Sequence, residues 1–303
     1  MMASGYAHMM NFIFRCMPQD KPGEPHDYAA ERKRNDRKPP KPPRGIEVTQ
    51  IDLNGFGGER IVKEGNSCGW VFYIHGGGFT VGSARERREI CQYITDTFGY
   101  NCVSCNYRLA PEHLWPDQLD DTIAAWKGFL AQEHVHAADT IVAGESAGST
   151  LALILALWLK EQGMAEPKGI MALSPSVTQA EVLPSHRENA GTDWMLRHNV
   201  EKGQLRLVYG DRKDDMSFLR DSLVSPLYGD YAGLPPVFLS ASDTEALLDD
   251  SRFLCQKLVR GHHPVKLDIQ HGCCHAFQVF CGMPEARKSL AAGFGFFDEA
   301  CRS

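Results

Sequence analysis

Three short stretches of this 303-residue chain hold residue types that could do chemistry together: Gly144-Glu145-Ser146-Ala147-Gly148, His75-Gly76-Gly77-Gly78-Phe79, and His275 in Gly272-Cys273-Cys274-His275-Ala276-Phe277. A serine hydroxyl is a weak nucleophile until a base takes its proton, and a carboxylate must orient that base. The oxyanion that forms on attack then needs N–H donors. These stretches offer a nucleophile (Ser146), bare backbone amides (Gly77, Gly78 and Ala147) and an imidazole (His275), the parts of an acyl-transfer centre. Two flanking glycines leave room for the sharp strand-to-helix turn that such a serine requires. The following helix would turn its N-terminal amides toward the serine oxygen.

The two glycine motifs differ in weight. By composition a G-x-S-x-G arises about 0.14 times in such a chain and an H-G-G-G about 0.009 times, so the second is the sharper signal. No Lys-Ser/Thr follows the triple glycine, which disfavours a phosphate-binding P-loop. His271 competes with His275 for the role of base but lies nearer the preceding strand. His262 and His263 precede that strand and belong to its other end. Zinc binding by His271, Cys273, Cys274 and His275 fits no common ligand spacing, and Cys102-Val103-Ser104-Cys105 lies in a strand-like run without a second pair. No metal or other cofactor is expected. The carboxylate should follow the penultimate strand, where Asp243, Glu245, Asp249 and Asp250 stand. The last two suit the first turn of the next helix. Glu245 is preferred to Asp243, which stays close behind it.

The elements that must position these groups alternate between apolar runs and helical spacing. Ile46 to Lys63 reads as an antiparallel hairpin turning at Asn54-Gly55. Trp70–Ile74, Asn101–Asn106, a strand from Thr140, Gly169–Leu173, Pro236–Ser240 and Val265–Ile269 read as buried strands. Helices are expected around Ile90–Phe98, Asp120–Leu130, after Ser146, Asp249–Val259 and Glu285–Ala300. The alternation predicts a mostly parallel, doubly wound α/β sheet, whose sites lie beyond the carboxyl ends of its strands. Two regions break the rhythm. Residues 1–45 hold a short apolar helix near Met9–Phe14, a charged helix over Tyr28–Lys38 with a solvated basic face, and a stiff Pro39–Pro43 connector. Ser176–Gly233 is a polar excursion, long enough to suggest a lid.

Composition narrows the setting. A net charge of −6 and pI near 6.1 give no reason to expect a nucleic-acid partner. No apolar stretch reaches the ~18 residues of a membrane span, so integral membrane association is not expected. The N-terminus reads as lacking a secretory signal. Ten scattered cysteines then suit reduced thiols in a cytoplasmic protein. Oligomeric state stays open, with a homodimer compatible.

Taken in order, His75-Gly76-Gly77-Gly78-Phe79, Tyr107-Arg108-Leu109-Ala110-Pro111-Glu112-His113, Gly144-Glu145-Ser146-Ala147-Gly148 and His275-Ala276-Phe277 resemble the motifs of the hormone-sensitive-lipase-like family of α/β-hydrolase carboxylesterases. The resemblance covers roughly Ile46 to the C-terminus. It implies a serine carboxylesterase acting on short- to medium-chain acyl esters, with a small-molecule ester as substrate. It also implies a helical cap built from residues 1–45 and part of 176–233 on a catalytic domain of residues 46–303. The family's Asp-Pro-Leu falls on Glu245-Ala246-Leu247 here when the strand is aligned from Pro236, so a glutamate replaces the usual aspartate. Glu145 and Ser149 also stand where Asp and Gly are common. An amidase or acyltransferase with the same triad, or a non-catalytic receptor on the same fold, are the alternatives.

Overall fold

A computed structural model describes residues 3–17, 26–36, 39, 41–196 and 204–300. Eight strands form one sheet in the order β1-β2-β4-β3-β5-β6-β7-β8. They are β1 (Ile46–Leu53), β2 (Phe56–Lys63), β3 (Trp70–Ile74), β4 (Asn101–Cys105), β5 (Thr140–Glu145), β6 (Gly169–Leu173), β7 (Val237–Ser242) and β8 (Val265–Gln270). The β1–β2 hairpin closes with Leu53 opposite Phe56, and Asn54 and Gly55 take the positive φ angles (57° and 96°) that a two-residue turn demands. β2 runs antiparallel to β4, and every pairing from β4 through β8 is parallel.

Alternate strand residues feed two cores. Phe72, Ile74 and Val142 pack with Trp126 and Phe129 of α4 (Asp117–Glu133), with α5 (Ala147–Glu161) and with α8 (Leu248–Arg260). Val71, Tyr73, Ile141 and Ala143 pack on the other face, against α3 (Arg88–Thr97) and Phe294 and Phe297 of α9 (Pro284–Ala300). α5 is apolar almost all round, and every residue from Ala147 to Leu157 is buried. Cys102 and Cys105 fall in different cores, on opposite faces of β4, and so do not converge on one metal.

Strand order reverses at β3, which has β4 on one side and β5 on the other, with Ile74 registered against Gly144. Loops leaving β3 and β5 therefore part across a crevice at the carboxyl edge, the usual place for a ligand in an open α/β sheet.

The N-terminal segment departs from expectation in extent. α1 runs over Gly5–Cys16, three turns rather than one or two, because Ser4 caps it and also ties it to the far end of the chain. The Ser4 side chain accepts from Ala7 N, while Ser4 N and Oγ donate to Glu285 at 2.6 and 2.8 Å. α2 covers Tyr28–Asn35, shorter than Tyr28–Lys38, whose last two residues lie outside the described ones. Its basic face is only partly solvated: Lys33 and Arg34 are exposed, but Arg32 reaches inward. Arg32 Nε donates to Thr80 O (2.7 Å), and the guanidinium pairs with Glu112. Between β6 and β7 the chain forms short helical pieces, among them α6 (Pro184–Glu188), 3-10 turns over Gln204–Asp214 and α7 (Met216–Leu219). Among the described residues no helix is long and apolar enough to cross a membrane.

Candidate active site

Ser146 sits between β5 and α5 with φ 54° and ψ −127°, a conformation costly for any residue with a Cβ. The surrounding packing enforces it. The Ser146 amide donates to Leu173 O at 2.8 Å. A Cβ on Gly148 would run into the carbonyl of Ile74, and one on Gly76 would lie 3.0 Å from Ser146 Cβ. The elbow and the loop after β3 thus press directly on each other, and glycine is required on both sides.

In that loop Gly77 and Gly78 have φ of 110° and 61°. Among the described residues, the amides of Gly77, Gly78 and Ala147 donate no hydrogen bond to protein, whereas the neighbouring Gly76 N–H is taken by Glu145 Oε1 (2.7 Å). Three unpaired amides near a helix N-terminus offer a cradle for negative charge. Tyr107 holds the loop from behind. Its ring stacks on His75 at 4.2 Å between centroids, and its hydroxyl donates to His75 O (2.8 Å). Burial drives the His75 pKa down to about 4, so the ring is neutral. Its Nδ1–H donates to Gly76 O, since a carbonyl can only accept.

His275 and Glu245 meet at the ends of β8 and β7. His275 Nδ1 lies 3.2 Å from Glu245 Oε2, and both side chains are buried. Ser174, directly after β6, completes the junction: its hydroxyl donates to Glu245 Oε2 (2.8 Å) and accepts from Ala276 N (3.1 Å). The consecutive residues Leu173 and Ser174 therefore bind the serine elbow on one side and the acid–imidazole pair on the other. His275 Nε2 has no hydrogen-bond partner among the described residues.

Charge follows from this packing. Burial opposes protonation of His275, but the hydrogen bond and charge of Glu245, then the charges of Asp193 and Glu145, raise its pKa above the ordinary 6.5. Burial raises Glu245 itself, against the opposing pull of His275.

The competing groups are occupied elsewhere. Asp243 accepts from Gly272 N (2.8 Å) and binds His271 Nδ1 (2.6 Å), with the His271 side chain 61% exposed. Asp249 and Asp250 do fall in the first turn of α8, where they hold the β6–β7 connection. Asp250 accepts from Val177 N (2.8 Å) and pairs with buried His186 (2.6 Å), and Asp249 accepts from Ser185 N (3.0 Å). His263 binds Pro235 O before β7, at the opposite edge of the sheet. Burial pushes the Cys273 thiol up to about 12 and raises Cys274 as well, so neither is ionised at neutral pH.

Several supporting residues escaped the sequence reading. Asp193 accepts from Ala246 N (2.8 Å), and Asn189 donates to the carbonyls of Asp243 and Glu245 (3.1 and 2.8 Å), so this connection braces the Glu245 loop. α1 braces the other loop, with Asn11 Nδ2 donating to Gly272 O (2.9 Å) and Ala7 and Met10 packed on Cys273, Cys274 and Phe277. Only Ser174 carried a usable signal, its place at a strand's carboxyl end.

A family model described as alpha/beta hydrolase fold matches residues 71–279. With the eight-stranded sheet, this makes the chain an α/β-hydrolase. An esterase from Acinetobacter venetianus is 31% identical over 247 residues, 81% of this chain and 80% of its own length. An acetyl-hydrolase from Streptomyces hygroscopicus is 28% identical, over 76% of this chain and 75% of its own length. Among solved structures, EstE5 soaked with p-nitrophenyl butyrate superposes with a TM-score of 0.87 at 25% identity, covering 99% of this chain and 100% of its own. A hormone-sensitive-lipase homologue, EstE7 from a metagenome library, gives 0.83 at 27% identity and 97% of each chain. The chain belongs to the hormone-sensitive-lipase-like family of esterases, and it is a carboxylic ester hydrolase. That excludes the non-catalytic receptor.

Proposed function

We propose that this protein is a serine carboxylesterase in which Ser146, His275 and Glu245 act as one unit on short- to medium-chain acyl esters. Because a carboxylate only accepts, the Nδ1 of His275 carries the hydrogen shared with Glu245, which leaves Nε2 with its lone pair free to act as base. Nε2 takes the Ser146 proton as the hydroxyl oxygen attacks the ester carbonyl. The carbonyl oxygen becomes an anion held by the amides of Gly77, Gly78 and Ala147, each donor of this kind being worth about 3 kcal/mol in the transition state. The imidazolium passes the proton to the departing alcohol and leaves an acyl-serine. Water, deprotonated by the same imidazole, then releases the acid and restores Ser146.

The observation that carries this reading is the buried Glu245–His275 contact, joined through Ser174 to the strand end that also holds the strained serine. A short acyl group fits two similar proteins, an acetyl-hydrolase and an esterase soaked with a butyrate ester. We assign the lid to residues 1–45 and part of the 176–233 connection; Asn11 braces the loop of His275, and Asn189 and Asp193 brace that of Glu245.

Turnover of p-nitrophenyl acetate and butyrate tests the mechanism. Ser146→Ala should lower kcat by about 10³-fold or more. Equal turnover by the two proteins would refute it. A chain-length series should favour acetate to hexanoate esters over palmitate.

A further inference from the structure

The mechanism above leaves one charged cluster unused. Glu145, the residue before the nucleophile, is 1% exposed at the end of β5, where an unpaired carboxylate would be very costly. Its carboxylate is enclosed by three donors. Gly76 N and Tyr73 OH donate at 2.7 and 2.6 Å, and Arg87 Nε, from the 3-10 turn before α3, pairs with Oε1. Burial and the Glu145 charge keep the Tyr73 phenol protonated as a donor.

The position of this cluster matters more than its stability. Gly76 is the first of three consecutive glycines, and its amide is the one engaged; those of Gly77 and Gly78 stay unpaired among the described residues. Binding Gly76 N fixes the peptide plane from which the next two amides are aimed. Through its own backbone the same residue is joined to Ser146, so one side chain spans the nucleophile and the loop that must receive the oxyanion. A Cβ on Gly76 would meet Glu145 O at 2.5 Å, which shows how little slack the joint has. We propose that Glu145, anchored by Arg87 and Tyr73, is the positioning residue that sets the Gly77 and Gly78 amides against Ser146. The inference rests on the oxyanion role proposed for those amides.

A positioning role predicts loss in the transition state and not in ground-state binding. Glu145→Gln leaves one acceptor oxygen for the three donors that now share a carboxylate, and sets an NH2 against at least one of them. It should lower kcat about 10- to 100-fold with KM within about threefold, and weaken a short-chain trifluoromethyl ketone, whose Ser146 hemiketal carries the oxyanion, by a matching factor. Rates are referred to sites titrated with a fluorophosphonate, which removes any loss of folded protein. If the glutamine variant does not fold, Glu145→Asp keeps the charge beside Arg87 but shortens the reach to Gly76, and kcat should still fall about tenfold. An unchanged kcat per titrated site, or a lower kcat without weaker ketone binding, would overturn the inference. Ser146→Ala run in parallel separates the two failures. Turnover persisting in Ser146→Ala removes the serine mechanism itself, whereas a dead Ser146→Ala beside an unaffected Glu145→Gln removes only this role.

Discussion

At the carboxyl edge of the sheet, the loop after β3 and the loops after β7 and β8 are held by different means. The first presents backbone amides, and it is fixed by contacts buried beneath it: the Tyr107 stack, the Glu145–Arg87 pair, and glycines where any Cβ would collide. The second presents side chains. It is fixed from above, by Asp193 and Asn189 on the Glu245 loop and by α1 on the His275 loop. Where the backbone does the work, the constraint falls on residue type and is written as a motif. Where side chains do the work, the constraint falls on partners remote in sequence.

That contrast accounts for what the sequence could convey. The hairpin, the buried strands and the two glycine motifs were legible because period-two burial and glycine requirements are local. The preference for Glu245 over Asp243 came with the family resemblance, which aligns the acid from Pro236; in the structure Asp243 binds Gly272 N and His271, while Glu245 lies against His275. Asp193 was not legible, since nothing around it in a polar connection marks a carboxylate that will meet Ala246 N fifty-three residues on. Arg32 looked like one more cation on a solvated face for the same reason, its partners Thr80, Ala110 and Glu112 being far along the chain.

Substitutions that unfasten one side at a time sharpen the comparison. The larger effect is expected from Asp193→Asn. It weakens the acceptor for three backbone amides and removes one of the charges that raise the His275 pKa. We expect kcat to fall about tenfold, because the side chains on this edge must be placed to within a fraction of an ångström. Since only neutral imidazole can accept the serine proton, activity rises with pH through the His275 pKa. The acid limb of the wild-type profile should therefore lie above 6.5 and move downward in Asp193→Asn; an upward shift would contradict this electrostatic account. A smaller effect is expected on the amide side from Arg32→Ala. Its pair with Glu112 is half-exposed and weak, so stability should drop by about 1 kcal/mol, read as a Tm lower by about 2–4 °C, with kcat nearly unchanged. A large kcat loss there would mean that the amide loop, too, depends on the lid.

The central claim is that Glu245 orients the base and Asp243 does not, and parallel kinetics of Glu245→Gln and Asp243→Asn on p-nitrophenyl butyrate test it most directly. The account predicts that Glu245→Gln loses about 10³- to 10⁴-fold in kcat while Asp243→Asn stays within about threefold of wild type. The reverse ranking, with activity surviving in Glu245→Gln and collapsing in Asp243→Asn, would contradict it.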